Sequence, residues 1–333
     1  MENVIKKCLR FALKPLRIAK IAYSDPNKFR YWLHENTGAK FRPKVLDFPP
    51  MLIVETSSYC NLSCIHCPRT EVAKKYDSFE GNMKFNLYKK IINEMSQYKY
   101  TTLRPFGRGE ALINPDISRM IKYAKEKGIH KVWLNTNGTL LSVKKSKELL
   151  EAGIDRLEVS IDAATRETFK KIKGKDKYDL VVKNTIECCR LKKELNAKTE
   201  IVVSFVESSM NTLDKDTFIK FWKNYTDQVC IRPVHQHGAL VSNQRISKEK
   251  KEKERLPCSI LWERVEINYY GGLNYCEFDW ENREKMGNVE KSSIKEIWNS
   301  KKYKQLRRLH IEKRFSEIPL CSICKTYNEA GGW

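Results

Sequence analysis

A chain of 333 residues carrying a formal net charge of +22 has the length for one large domain and a smaller companion. It has no uninterrupted apolar run of bilayer length, and Lys14, Pro15 and Arg17 break any signal-peptide core, which argues against membrane-spanning and secreted classes and predicts a cytoplasmic protein. The positive charge speaks of acidic partners rather than of fold, but its lysines are scattered over most helical stretches, and without an aromatic–basic stripe nucleic acid is not expected as substrate.

Residues 1–50 form a basic N-terminal extension. Val4, Ile5, Cys8, Leu9 and Ala12 share one face of a helical pattern, with Lys6, Lys7, Arg10 and Lys14 largely on the other. Such a stripe docks on its own domain, or lies on an anionic membrane surface and makes the protein membrane-peripheral. From residue 51, strand signals at 51–56, 102–107, 131–136, 156–162, 200–206 and 229–234 alternate with helical spacing. Phe85, Tyr88, Ile91, Ile92 and Met95 give one such helix, and Ile117, Met120, Ile121 and Ala124 another. Six β–α repeats predict an α/β fold with a parallel sheet and helices outside it.

The loop leaving the first strand reads Cys60-Asn-Leu-Ser-Cys64-Ile-His-Cys67. A cubane iron–sulfur cluster normally takes four thiolates, so three leave one iron open to a small molecule. Structural zinc would need a fourth ligand, and His66 sits awkwardly between two of the cysteines. Eleven cysteines in this pattern suit metal binding in a reducing compartment better than disulfides.

Polar residues recur at the later strand ends. Gly107-Arg-Gly-Glu110 follows the second, Asn135-Thr-Asn137-Gly138 the third, Ser160 and Asp162 share a face at the end of the fourth, and Ser204 lies on the fifth. The sixth carries Cys230 and runs into Arg232-Pro-Val-His235-Gln-His237. Residues 242–256 read as a charged linker. The segment 257–333 holds Cys258 and Cys276 around a Gly271-Gly272 turn, then the pair Cys321 and Cys324. Glu277 and Asp279 follow Cys276 closely. Cys188 and Cys189 fall in a helical stretch and read as packing residues.

From about residue 50 onward the chain resembles the radical S-adenosylmethionine (SAM) superfamily. The resemblance implies a partial (β/α)6 barrel over 51–241, with chemistry at the C-terminal ends of its strands. It implies a [4Fe–4S] cluster on Cys60, Cys64 and Cys67, and SAM contacts from Gly107, Gly109, Glu110, Asn135, Ser160, Asp162 and Ser204. Reductive cleavage of SAM would yield a 5′-deoxyadenosyl radical able to take hydrogen from an unactivated C–H bond.

Residues 257–333 resemble the SPASM extension that carries auxiliary iron–sulfur clusters. Six residues past the Cys-x2-Cys pair, where that pattern has another cysteine, stands Ala330. This implies the shortened Twitch form, as in enzymes like 2-deoxy-scyllo-inosamine dehydrogenase. One fully ligated [4Fe–4S] cluster would then sit on Cys258, Cys276, Cys321 and Cys324, with structural zinc as the alternative for a four-cysteine set.

The implied substrate is a small carbohydrate-like or cyclitol-like molecule, with phosphorylated or nucleotide-linked forms included. The implied electron donor is a flavodoxin or ferredoxin. Dehydrogenation of a secondary alcohol would use Glu277, or second Asp279, as base, and Arg232 and His235 would stand near substrate. Epimerisation would use Cys230 as a hydrogen-atom donor. Each of these side chains also has a plain reading as a loop anchor, a solvated acid or a buried strand cysteine. The rival class is peptide or protein modification.

Overall fold

The structure is a computed structural model and describes residues 43–76, 79–99, 101–234, 237, 240 and 255–324. All six expected strands are present: β1 Met51–Val54, β2 Thr102–Arg104, β3 Lys131–Thr136, β4 Arg156–Ser160, β5 Glu200–Glu207 and β6 Gln228–Pro233. Along them Leu52 and Val54, Leu103, Val132 and Leu134, Leu157 and Val159, and Ile201 and Val203 are buried. Their spacing of two gives each strand one apolar face, packed beneath helices, and leaves the intervening residues on the concave face. β2 stops three residues earlier than expected, at Arg104, because Pro105 has no N–H to continue the ladder. β4 stops at Ser160, two residues before Asp162, whose φ of 64° leaves the extended region.

The helices are α1 Arg69–Lys75, α2 Phe85–Met95, α3 Ile117–Glu126, α4 Val143–Glu151, α5 Arg166–Lys173, α6 Tyr178–Glu194, α7 Lys215–Trp222, α8 Ile260–Glu263, α9 Ile294–Trp298, α10 Lys301–Ile311 and α11 Pro319–Ile323. α2 buries Leu87, Tyr88, Ile91, Ile92 and Met95, and α3 buries Ile117, Met120, Ile121 and Ala124, the stripes their spacing predicted. Cys188 and Cys189 are buried in α6 as packing residues.

The C-terminal segment adds β7 Arg264–Ile267, β8 Gly272–Asn274 and β9 Lys285–Asn288 to the same sheet. The strand order is β6-β5-β4-β3-β2-β1-β7-β8-β9. The first seven in that order are parallel, and β8 and β9 return antiparallel. The sheet is open, as a partial barrel requires. Glu94 of α2 accepts from the Ile294 and Lys295 N–H groups, both at 2.9 Å, which fastens the first turn of α9 to the barrel's outer layer.

No helix among the described residues is long and apolar enough to cross a membrane. The amphipathic pattern near the N-terminus and most of the 242–256 linker lie outside the described residues.

Candidate active site

The cysteine loop is held by its backbone rather than by its thiols. Ser63 N–H donates to Lys173 O at 3.2 Å and Ile65 N–H to Ile172 O at 2.9 Å, pinning the loop to the end of α5. Gly174 closes that helix at φ 73°, and a Cβ there would stand 2.7 Å from Ser63 O. Gly174→Ala should therefore cost about 1–2 kcal/mol from the left-handed backbone and displace the cysteine loop. Iron bound by the first thiol set should fall in anaerobic reconstitution, and unchanged iron would refute this. On the other side Gly109 packs so tightly that a Cβ would meet Ser57 O and Tyr59 O at 2.5 Å. Glu110 N–H donates to Tyr59 O at 2.7 Å.

Glu110 is buried, and its carboxylate accepts from Thr136 Oγ1 at 2.7 Å, Asn137 N–H at 2.7 Å and Leu112 N–H at 3.0 Å. Burial raises its pKa, and these donors oppose the rise. The sequence placed glycines 107 and 109 and Glu110 together. It gave no role to Arg108, which turns inward. Arg108 donates to both Glu55 oxygens at 3.1 and 3.3 Å, to Trp280 O and Asn282 Oδ1 at 3.3 Å, and lies 3.7 Å from Glu266. One guanidinium thus ties the strand-two loop to β1, to β7 and to the loop after Cys276.

Ser160, Ser204 and Cys230 lie side by side across β4, β5 and β6. Asp162 is fully buried and accepts from Val206 N–H at 2.7 Å and from Lys173 Nζ at 2.5 Å. Lys173 also reaches Ser160 Oγ at 3.3 Å, and His66 Nε2 lies 3.7 Å from Asp162. Burial opposes both charges, but each partner outweighs it: Asp162 is lowered and Lys173 raised, with Cys64 and Cys60 adding to the rise. Lys173 is a site residue the sequence reading missed. Its signal was a lysine at the buried stripe position set by Phe169 and Ile172.

The concave face is charged. Arg232 donates to both oxygens of Glu158, one at 3.0 Å, and Arg156 donates to Glu200 at 3.0 Å. Arg104 lies over the rings of Phe106 and Trp133 at 4.7 and 5.0 Å. Glu277 accepts from Arg264 at 2.7 Å and stands 3.9 Å from Arg104. Arg104 Nε, Trp133 Nε1, Asn135 Oδ1 and Arg156 Nε are buried without a hydrogen-bond partner among the described residues. Asp279 is elsewhere engaged: it accepts from the Arg283 and Glu284 N–H groups at 2.9 and 3.1 Å and closes the turn beyond Cys276. His235 lies outside the described residues, and His237 meets Phe278 and Trp280 edge-on.

The second thiol set lines one pocket, where Cys258, Cys276, Cys321 and Cys324 join Tyr275, Phe278 and His310. Phe278 N–H donates to Cys276 Sγ at 3.4 Å. Among the described residues no three His, Cys, Asp or Glu side chains converge on a single ion. Four cysteines around one pocket are enough either for a cubane, with one thiolate on each iron, or for a tetrahedral zinc.

Register fixes where the sets stand. β1 pairs in parallel with β7, Met51 opposite Arg264 and Val54 opposite Ile267. Cys60, Cys64 and Cys67 follow the Val54 end. Cys258 precedes β7 at the other end, and the β7–β8 register brings Cys276 back level with Arg264. About 10 Å of strand separates the two levels, and the charged concave face spans the gap.

Residues 54–209 match the radical SAM superfamily, and residues 258–325 match the SPASM family of iron–sulfur cluster-binding domains. The chain carries a radical SAM domain. A SPASM domain follows it. The radical SAM domain implies SAM and a [4Fe–4S] cluster, and the SPASM domain implies an auxiliary cluster. The Fe-coproporphyrin III synthase of Methanosarcina barkeri is 30% identical over 143 residues, 43% of this chain and 34% of that relative. The chain thus spans about a third of that relative's length. BtrN, solved in complex with AdoMet and 2-DOIA, is 19% identical with a TM-score of 0.57, covering 83% of this chain and 92% of BtrN. SuiB of Streptococcus suis bound to S-adenosylmethionine is 16% identical with a TM-score of 0.66, covering 99% of this chain and 85% of SuiB. At these identities the two solved structures show the fold of the radical SAM domain and its extension.

Proposed function

We propose that this protein is a radical SAM oxidoreductase that dehydrogenates a secondary alcohol on a carbohydrate-like or cyclitol-like molecule. The observation that carries the reading is the set of orphaned polar atoms on the concave face. Three donors, on Arg104, Trp133 and Arg156, are buried without partners among the described residues and belong to no residue assigned to SAM. Buried polar groups are normally satisfied, so this face suits a ligand rich in hydroxyl groups. Phosphorylated or nucleotide-linked forms fit the arginines equally.

Cys60, Cys64 and Cys67 would hold the first cluster. Gly107, Gly109, Glu110, Asn135, Ser160, Asp162 and Ser204, joined by Lys173, would position SAM. Cys258, Cys276, Cys321 and Cys324 would hold the auxiliary cluster. When bound, SAM and the first cluster supply removal of a hydrogen atom from carbon, and the auxiliary cluster supplies a one-electron acceptor. Glu277 takes the hydroxyl proton, the remaining loss that converts the alcohol to a carbonyl. Arg264 holds that carboxylate toward Arg104. Arg232, braced by Glu158, flanks the substrate beside Cys230. A flavodoxin or ferredoxin supplies the priming electron.

The test is 5′-deoxyadenosine release by anaerobically reconstituted protein with SAM and reductant, with and without a pool of sugars, cyclitols and nucleotide sugars. Stimulation by that pool supports the reading. Stimulation by a peptide pool alone overturns it in favour of peptide modification. With a responsive substrate, Glu277→Gln should lower carbonyl product about 10²–10⁴-fold while 5′-deoxyadenosine still forms. Equal product from the variant removes Glu277 as base.

A second reading, epimerisation, has one observation in its favour: Cys230 stands in the row with Ser204 and Ser160. Cys230→Ala should abolish epimerised product and spare dehydrogenation. Epimerisation surviving the change would sink the thiol donor.

A further inference from the structure

We infer that His310 donates a hydrogen bond to the Cys321 sulfur and thereby raises the reduction potential of the auxiliary cluster. The inference rests on the reading that Cys258, Cys276, Cys321 and Cys324 hold that cluster. His310 comes from α10, a helix that supplies no thiol, and it is 0% exposed. Its Nδ1 lies 3.2 Å from the Cys258 backbone nitrogen, and its Nε2 lies 3.4 Å from Cys321 Sγ. One ring therefore bridges two of the four thiol positions.

The geometry decides where the proton sits. A backbone N–H only donates, so Nδ1 must present its lone pair to Cys258. An imidazole bare at Nδ1 carries its proton on Nε2. That proton points at the Cys321 sulfur. Phe315 meets the ring edge-on at 5.1 Å and holds its plane. Tyr275 lines the same pocket, and its buried hydroxyl lies beside Cys321.

A cluster gains negative charge on reduction, and its thiolate sulfurs carry part of it. An N–H donor to one of them stabilises the reduced form more than the oxidised form. An acceptor of substrate-derived electrons benefits from that bias. His310 is a positioning residue in this scheme, because it touches a ligand and not the substrate.

The experiment isolates the auxiliary cluster in the full chain carrying Cys60→Ala, Cys64→Ala and Cys67→Ala. Potentiometric titration followed by electron paramagnetic resonance reads its midpoint. In that background His310→Asn keeps an acceptor near the Nδ1 position and loses the donor, whereas His310→Gln keeps an amide donor near Nε2. The reduced-to-oxidised ratio at fixed potential should fall about tenfold in His310→Asn, a drop of about 59 mV for one electron. His310→Gln should recover most of it. Equal midpoints at equal iron content overturn the inference.

Should His310→Asn fail to retain iron, a second measurement decides without it. Protein labelled with nitrogen-15 only at histidine should show a nitrogen-15 coupling to the reduced cluster by pulsed resonance, lost in His310→Gln. A reduced cluster with no such coupling overturns the inference and leaves the cluster assignment standing. No iron at all in the triple-alanine background overturns both.

Discussion

Cys64→Ala should bring 5′-deoxyadenosine formation below detection while the protein stays folded. Three thiols serve the first cluster in the proposed arrangement, and each would hold its own iron. The loop does not depend on the Cys64 thiol for its shape, because the Ser63 and Ile65 N–H groups bond to carbonyls at the end of α5. Far-ultraviolet circular dichroism should therefore match the parent. Iron and sulfide should fall by roughly half, from two cubanes to one. Cys188→Ala is the control: that thiol is buried in α6 and should change stability but not iron. Full iron and unchanged 5′-deoxyadenosine in Cys64→Ala would remove the three-cysteine loop from the site.

Arg108→Met should destabilise the fold by about 3–5 kcal/mol. The residue is 5% exposed, and its partners Glu55 and Glu266 are 1% and 2% exposed. Methionine fills much of the volume but leaves two carboxylates buried without their cation. Urea denaturation of the anaerobically prepared protein measures the loss through its midpoint. The effect has a pH signature. Burial raises the Glu266 pKa above its ordinary range, Arg108 opposes the rise, and Glu55 and Glu277 add to it.

A carboxyl raised in the folded state contributes stability that is fully present below its unfolded pKa and lost as pH climbs through the folded value. Removing Arg108 removes the opposing charge and pushes Glu266 higher still. The gap between parent and variant should therefore widen as pH rises above about 8, where Glu266 ionises in the folded parent but stays protonated in the folded variant. A gap that is constant or narrows would show that Arg108 acts by packing alone. SAM affinity should weaken as well, because Arg108 fixes the loop that carries Gly107, Gly109 and Glu110.

Much of the architecture was legible because it is written in local periods. Val132 and Leu134, then Leu157 and Val159, repeat every two residues, and Ile117, Met120, Ile121 and Ala124 repeat as a helix does. Strand ends were less legible, since Pro105 and the turn at Asp162 act through single backbone positions. Of the site residues, those in motifs were found, and those defined by a distant partner were not. Lys173 looked like one more lysine until Asp162 gave it a counter-charge. Arg108 was no more than the residue between Gly107 and Gly109 until Glu55 and Glu266 closed around it.

The sequence alone determined the two cysteine sets, the six β–α repeats and the polar residues at the strand ends, because thiol spacing and hydrophobic period are properties of contiguous residues. Only the tertiary structure decided that β7 pairs in parallel with β1. That pairing joins segments some two hundred residues apart, and nothing in either segment records its partner. It sets the two thiol sets at opposite ends of one strand pair, with the arginines, Glu158 and Glu277 between them. His310, too, became a bridge between two cysteines only when α10 packed against the second set, since a hydrogen bond depends on where two groups meet and not on how far apart they lie in the chain.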